Sequence, residues 1–241
     1  MQSPHGLGIV ASSLACLTRK GRVFCELSAS ALKALDVFTS SANYPKGTVL
    51  YAEGQTAGGI FVLCTGQVKL SISSRDGKII ILKIAQAGEL LGLHATLSGK
   101  PYEVTAEVLE KATVNFIPRP EFIRFLRMNS EAVMRITMLL MDSHYADYEL
   151  LQSFGLSRTS SEKLSRFLLR WSASHGRGQD RFQIALTHEE IAEMIGVTRE
   201  TVTRLLSEFK KRQLLAVTGS TVTICNRAVL ESLVGTERVA P

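Results

Sequence analysis

The residues with the most specific chemistry lie between Leu186 and Cys225. Thr187 can cap a helix through its hydroxyl, and Glu190, three residues on, completes a capping box. Ile191, Ala192 and Ile195 give that helix an apolar face, and Gly196 permits a sharp turn that a side chain would strain. Thr198 then caps a second helix, Arg199 to about Arg212, with Val202, Leu205, Leu206 and Phe209 as its buried stripe. Its third position is Thr201 rather than Glu or Gln, so this second box is incomplete. Two helices joined by a short turn containing Gly make a helix-turn-helix. The N-terminal residues of the second helix are those that enter a DNA major groove. Thr198, Arg199, Glu200, Thr203 and Arg204 stand there. Arginine can donate two hydrogen bonds to guanine, and glutamate can accept one from cytosine. Arg199 and Arg204 are five residues apart and so point differently, one to a base and the other to a neighbour or a phosphate. Lys210, Lys211 and Arg212 complement the helix dipole or meet phosphate. Leu215–Val217 and Thr221–Cys225 flank Thr218-Gly219-Ser220 as a wing hairpin. Solvated charges on an amphipathic helix are the bland alternative. The order of cap, glycine turn, basic end and hairpin weighs against it.

These residues must be held by the rest of the chain. From Tyr44 to Pro118 short β-branched runs recur: Thr48–Tyr51, Gly59–Thr65, Val68–Ser73, Ile79–Ile84, Glu103–Val108 and Thr113–Ile117. Turn residues separate them, and Asp76-Gly77 between two apolar runs is a hairpin signal. The pattern predicts a sandwich, jelly roll or small barrel, preceded by a helix over Ser28–Phe38. After Pro120 the period becomes helical. Residues from Glu131 to about Phe154 run without Gly or Pro for roughly 35 Å at 1.5 Å per residue. Val133, Ile136, Leu139, Leu140, Ala146, Leu150 and Leu151 cover more than one stripe, which predicts two packing partners, the β domain and a second copy of the helix. His144, Asp147 and Glu149 interrupt the seam. Gly155 can end this helix, and a further helix is expected over Glu162–Ala173.

The chain has 241 residues, enough for two domains, with 45% apolar and 21% charged residues, a globular rather than disordered composition. No apolar run is long enough to span a bilayer. The first sixteen residues lack the cationic start and long apolar core of a signal peptide, so the expectation is a cytoplasmic protein. Of the net charge of +6, residues 156–241 carry 13 Lys+Arg against 9 Asp+Glu, and residues 198–212 carry five against two. A basic excess placed on one helix favours duplex DNA.

The run Leu186–Ala192 with Gly196–Arg204 closely resembles the winged-helix signature of the CRP/FNR superfamily of bacterial transcription regulators. The resemblance extends to the glycine-punctuated β region, the long helix and the linker. It implies an α+β chain: an N-terminal arm (1–25), a jelly-roll or cupin-like β-roll sensor domain (26–128), a long dimerisation helix (129–155) and a C-terminal winged helix-turn-helix (156–241). It also implies a homodimer through residues 131–154 on a double-stranded DNA operator, recruiting or blocking RNA polymerase. Arg199, Glu200 and Arg204 match the family's base-reading positions. Glu200 with Thr203-Arg204 resembles the FNR-like pattern and implies a TGA-like half-site core.

The same resemblance locates an effector pocket at Gly92, Leu93, His94, Tyr102, Glu103 and Tyr148. Cyclic-nucleotide members place Arg-Ser or Arg-Thr where this chain has Tyr102-Glu103. A buried phosphate needs the arginine, and an acid would repel it, so cyclic AMP is disfavoured. Gly88-Glu89 is a lookalike of the turn before the cassette, and the family's base-contacting pair falls on Tyr148-Glu149. The alternative is a redox or iron–sulfur regulator of the FNR type, which needs four thiolates. Cys16, Cys25 and Cys64 would be a degenerate set, since the matching roll position is Asn115. A haem ligand would be His94 or Cys64. Inert buried cysteines are the plainer reading, with Cys225 structural at the end of the wing. A cupin-like metal enzyme would want clustered histidines. Histidines at 5, 94, 144, 175 and 188 show no such spacing, and no catalytic motif is present.

Overall fold

The computed structural model describes Phe24 and residues 27–156, 159–175 and 179–234. The chain divides into two compact units after Tyr145. In the first, Ser28 caps α1 (Ala29–Asp36) by accepting from the Ala31 N–H. Two four-stranded antiparallel sheets follow. One has the order β1 (Ser40–Tyr44), β8 (Ala112–Pro118), β3 (Gly59–Thr65), β6 (Leu90–Leu91). The other has the order β2 (Val49–Tyr51), β7 (Thr105–Val108), β4 (Val68–Ser73), β5 (Ile79–Ala85). Asp76-Gly77 lies in the β4–β5 connection, where Ser73 pairs with Ile79 and Gly77 has φ 82°. The positive φ is the reason for glycine there.

Strand β3 is buried on both faces, and its period of two sorts its side chains between two cores. Phe61 and Leu63 point into the roll with Tyr51, Leu91, Tyr102 and Val114. Ile60 and Val62 point to the opposite face, where Leu32 and Leu35 meet Phe122 and Phe125 of α3 (Arg119–Met128) and Ala132 and Ile136 of α4 (Ser130–Leu156). The helical layer is pinned at its start, because the Ser28 hydroxyl donates to Glu131 Oε1 at 2.6 Å.

In the second unit Leu164, Phe167, Leu168 and Trp171 of α5 (Ser160–His175) are buried. The Trp171 indole donates to the Gln183 carbonyl at 2.9 Å, which ties α5 to β9 (Arg181–Gln183). Two helices follow, α6 (His188–Ile195) and α7 (Arg199–Lys211). The wing is β10 (Leu215–Thr218) and β11 (Thr221–Ile224), and the last described helix is α8 (Arg227–Val234). Strand β11 pairs with both β10 and β9, so the wing sheet has three strands.

The architecture is the α+β arrangement expected, a β-roll with helices and a C-terminal winged helix-turn-helix. Some elements differ from expectation. The roll has two extra strands, β1 and β6, and a short helix α2 (Leu93–Ser98). α5 is longer at both ends than expected. α4 continues through Gly155 to Leu156, since one glycine near a helix end costs only about 1 kcal/mol. Among the described residues no helix is long and apolar enough to cross a membrane.

Candidate nucleic-acid interface

Two caps fix the helix-turn-helix. The Thr187 hydroxyl accepts from the Glu190 N–H at 3.2 Å, and a Glu190 carboxylate oxygen accepts from the Thr187 N–H at 2.8 Å, a complete capping box. Gly196 ends α6 in the left-handed region at φ 65°, and its N–H returns to the Ala192 carbonyl. That single residue reverses the chain into Thr198, whose hydroxyl accepts from the Thr201 N–H at 3.3 Å. Where a glutamate would complete the second box, the Thr201 hydroxyl instead meets that of Thr198 at 3.1 Å.

On α7, Val202, Leu205 and Phe209 are buried. Thr198, Arg199, Glu200, Thr203 and Arg204 are exposed, and the last four line one open concavity with Ser207. Both arginines therefore reach the same concavity, although five residues separate them. The Arg204 guanidinium is 4.0 Å from Glu208, an exposed contact too weak to withhold it from a ligand. Lys210 does not share this concavity. It lines a second one at the root of the wing, with Arg212, Gln213, Leu215, Ala216, Cys225 and Asn226, while Lys211 is exposed and lines neither. Gln213 turns the chain from α7 into β10 at φ 57°. Sequence reasoning passed over His188 and Ser207. Nδ1 of His188 lies 2.8 Å from the Thr203 hydroxyl, a pairing fifteen residues apart that helix periodicity does not reveal.

Within the first unit Gly92 meets the Tyr102 ring, and His94 meets Glu103. Tyr102 is 3% exposed, and its ring stacks on Tyr51 with centroids 4.0 Å apart. Its hydroxyl donates to the Gly59 carbonyl at 2.6 Å and accepts from the Gly59 N–H at 3.2 Å. Gly92 caps α2 at φ 71°, and a Cβ there would lie 2.6 Å from the Tyr102 ring. Tyrosine therefore fills the space in front of the cassette glycine. Burial raises the pKa of Tyr51 and of Tyr102, so both remain neutral. His94 Nδ1 pairs with Glu103 Oε1 on the surface, the two side chains 68% and 45% exposed. Leu93 packs under the helical layer instead, and Tyr148 is exposed on α4 in the second unit. The cassette presents no arginine to a phosphate, and its residues do not fit a cyclic nucleotide.

Cys16 and Cys25 lie outside the described residues. Cys64, buried in β3, is disulfide-bonded. Asn115 is fully buried on β8. Among the described residues no three His, Cys, Asp or Glu side chains group to hold a metal.

A filled β-roll joined to a winged helix-turn-helix with an open, charged recognition helix defines a DNA-binding regulator. Residues 41–129 match the family described as the cyclic nucleotide-binding domain, and residues 162–233 match the Crp-like helix-turn-helix domain. The chain is 28% identical over 217 residues to the fumarate and nitrate reduction regulatory protein of Vibrio cholerae, covering 88% of this chain and 86% of that one. It is 27% identical over 195 residues to the transcriptional activator protein Anr of Pseudomonas aeruginosa, covering 79% and 78%. The structure of FixK2 from Bradyrhizobium japonicum shares the fold, with a TM-score of 0.71 at 22% identity, covering 81% of this chain and 96% of that one. The chain belongs to the CRP/FNR superfamily of transcription regulators.

Proposed function

We propose that this chain is a cytoplasmic, homodimeric regulator that reads a palindromic operator with a TGA-like core in each half-site. One observation carries the proposal: Arg199, Glu200, Thr203 and Arg204 converge on one open concavity at the start of a capped helix. In a major groove the arginines donate to guanine and Glu200 accepts from cytosine. Thr198 holds the helix start, and Lys210 and Lys211 meet phosphate beside the groove. The sensor domain spans 26–128; the arm expected over 1–25 lies, apart from Phe24, outside the described residues. Residues 129–155 form the dimerisation helix and 156–241 the DNA-binding domain, which recruits or blocks RNA polymerase as the resemblance implies.

A stripe on α4 supports the dimer. Met134, Met138, Met141, Tyr145 and Tyr148 are 52–73% exposed and spaced 4-3-4-3, the period of a coiled-coil seam. The sensor works without cyclic AMP, since Tyr102 fills the cassette and Glu103 stands where the phosphate would need an arginine.

The test is binding of a duplex carrying inverted TGA half-sites. Arg204→Ala weakens binding by about 1–3 kcal/mol and relaxes preference at one base pair per half-site. A uniform loss across all sequences would instead make Arg204 a phosphate contact. Lys210→Ala lowers the slope of log affinity against log salt by about one per contact removed and leaves sequence preference intact. An unchanged slope would take Lys210 off the phosphates.

A further inference from the structure

Two hydroxyls sit among the charges of the recognition concavity, and neither has a proton to offer a base. Ser207 donates its own to the Thr203 carbonyl at 2.9 Å. Thr203 donates to the Arg199 carbonyl, four residues back, at 3.0 Å. The same oxygen lies 2.8 Å from Nδ1 of His188, the first residue of α6. A hydroxyl carries one proton. With that proton on the Arg199 carbonyl, His188 donates from Nδ1–H to Thr203. With the imidazole as acceptor the proton goes to His188 instead. In both arrangements the donor of Thr203 is engaged inside the protein. The hydroxyl can then give a base no proton, and the apolar group Thr203 has to offer is its methyl.

The major groove displays one apolar group, the 5-methyl of thymine. We propose that Thr203 recognises thymine through methyl contact, and that His188 is the positioning residue that holds its hydroxyl back. The inference rests on the reading of α7 as the recognition helix, and it adds to that reading a base, the chemical group read and a residue outside the helix. It also divides the labour in the concavity: Arg199, Arg204 and Glu200 keep the hydrogen-bonding roles, and Thr203 supplies the apolar one.

The experiment uses the full chain and the duplex of inverted TGA half-sites. Each thymine in the half-site is replaced in turn, symmetrically, by deoxyuridine, which lacks only the methyl. Burial of one methyl-sized group is worth about fourfold in affinity, so one position is expected to lose about fourfold per half-site and roughly tenfold or more for the symmetric duplex. Thr203→Ser keeps the backbone hydrogen bond and loses the methyl, and it should bind the two duplexes alike. Thr203→Val keeps a methyl and should still discriminate. His188→Ala should reduce the discrimination, and His188→Asn, whose amide donates from near the place of Nδ1, should restore it. Wild-type protein that binds the duplex yet ignores deoxyuridine at every position overturns the proposal. So does a Thr203→Ser variant as discriminating as wild type. Failure of wild type to bind any TGA duplex would remove the proposed half-site, and this inference with it.

Discussion

Tyr102→Ala destabilises the β-roll by about 3–5 kcal/mol, the range for removing a buried aromatic ring. The ring is 3% exposed, stacks on Tyr51 and closes over Gly92, so its loss leaves a cavity that the two glycine-lined sides cannot fill. Tyr102→Phe keeps the ring but strips both hydrogen bonds from Gly59, at about 1–3 kcal/mol. The measurement is urea unfolding of the full chain by two probes. Near-ultraviolet circular dichroism in the tyrosine band follows the roll and the long helix, which carry all five tyrosines, and the chain's one tryptophan, Trp171, reports the DNA-binding unit. The dichroism midpoint should fall while the fluorescence midpoint holds. Equal shifts in both, or an Ala variant no worse than Phe, would contradict the plug. Cyclic AMP should leave the wild-type midpoint unchanged, whereas a ligand at a hundred times its Kd would add about 2.7 kcal/mol. Alkali supplies a further check. Burial raises the pKa of Tyr51 and Tyr102 above the unfolded value near 10. The stability they confer is whole below pH 10 and is lost as pH rises toward the folded values. Tyr102→Phe should flatten that alkaline loss.

The parts of this fold that could be read from sequence are those where local chemistry and tertiary position agree. Gly59–Thr65 and Val68–Ser73 match their observed strands because both are β-branched runs bounded by turn residues. Thr187, Glu190, Gly196 and Thr198 announce the helix-turn-helix because each satisfies a backbone group only a helix end leaves open. Strand β1 has the sequence Ser-Ser-Ala-Asn-Tyr, with no strand propensity worth the name. Its pairing with β8, Ser40 opposite Phe116 through Tyr44 opposite Ala112, and the burial of Tyr44 impose the strand. The short α2 starts at Gly92 without a side-chain cap, so no signal marks it. The cassette was legible as a departure, Tyr102-Glu103 for Arg-Ser, but the departure does not say that the tyrosine turns inward while the acid pairs with His94 outside. That depends on Gly92 leaving room for the ring and on the Gly59 backbone bonding its hydroxyl. The long helix was legible in part. Branched aliphatics drew the eye to Ile136, Leu139 and Leu140, which serve the sensor core. The exposed stripe is made of Met and Tyr.

That stripe leads to the second large effect. Met138→Glu combined with Tyr145→Glu should convert the dimer to a monomer and lower affinity for the inverted repeat by about a hundredfold or more. Met134, Met138, Met141, Tyr145 and Tyr148 repeat every 3.5 residues, and an exposed apolar run of this period asks for a partner helix of the same period. A two-fold axis along the seam sets each residue near its own copy. One glutamate per position therefore becomes two facing carboxylates where thioether and phenol rings would have met. The loss on DNA exceeds the loss at the seam. A dimer delivers its second reading head at an effective concentration fixed by the first, and that linkage is commonly worth 10²–10⁴ in affinity. Each substituted side chain is 52% or more exposed in the single chain, so the fold of the monomer should change by about 0.5 kcal/mol or less. Sedimentation equilibrium and circular dichroism, run beside the binding titration, separate the two effects. A doubly substituted chain that still sediments as a dimer would move the interface off this face of α4. A monomer that binds the inverted repeat as tightly as wild type would show that each winged helix reads its half-site alone.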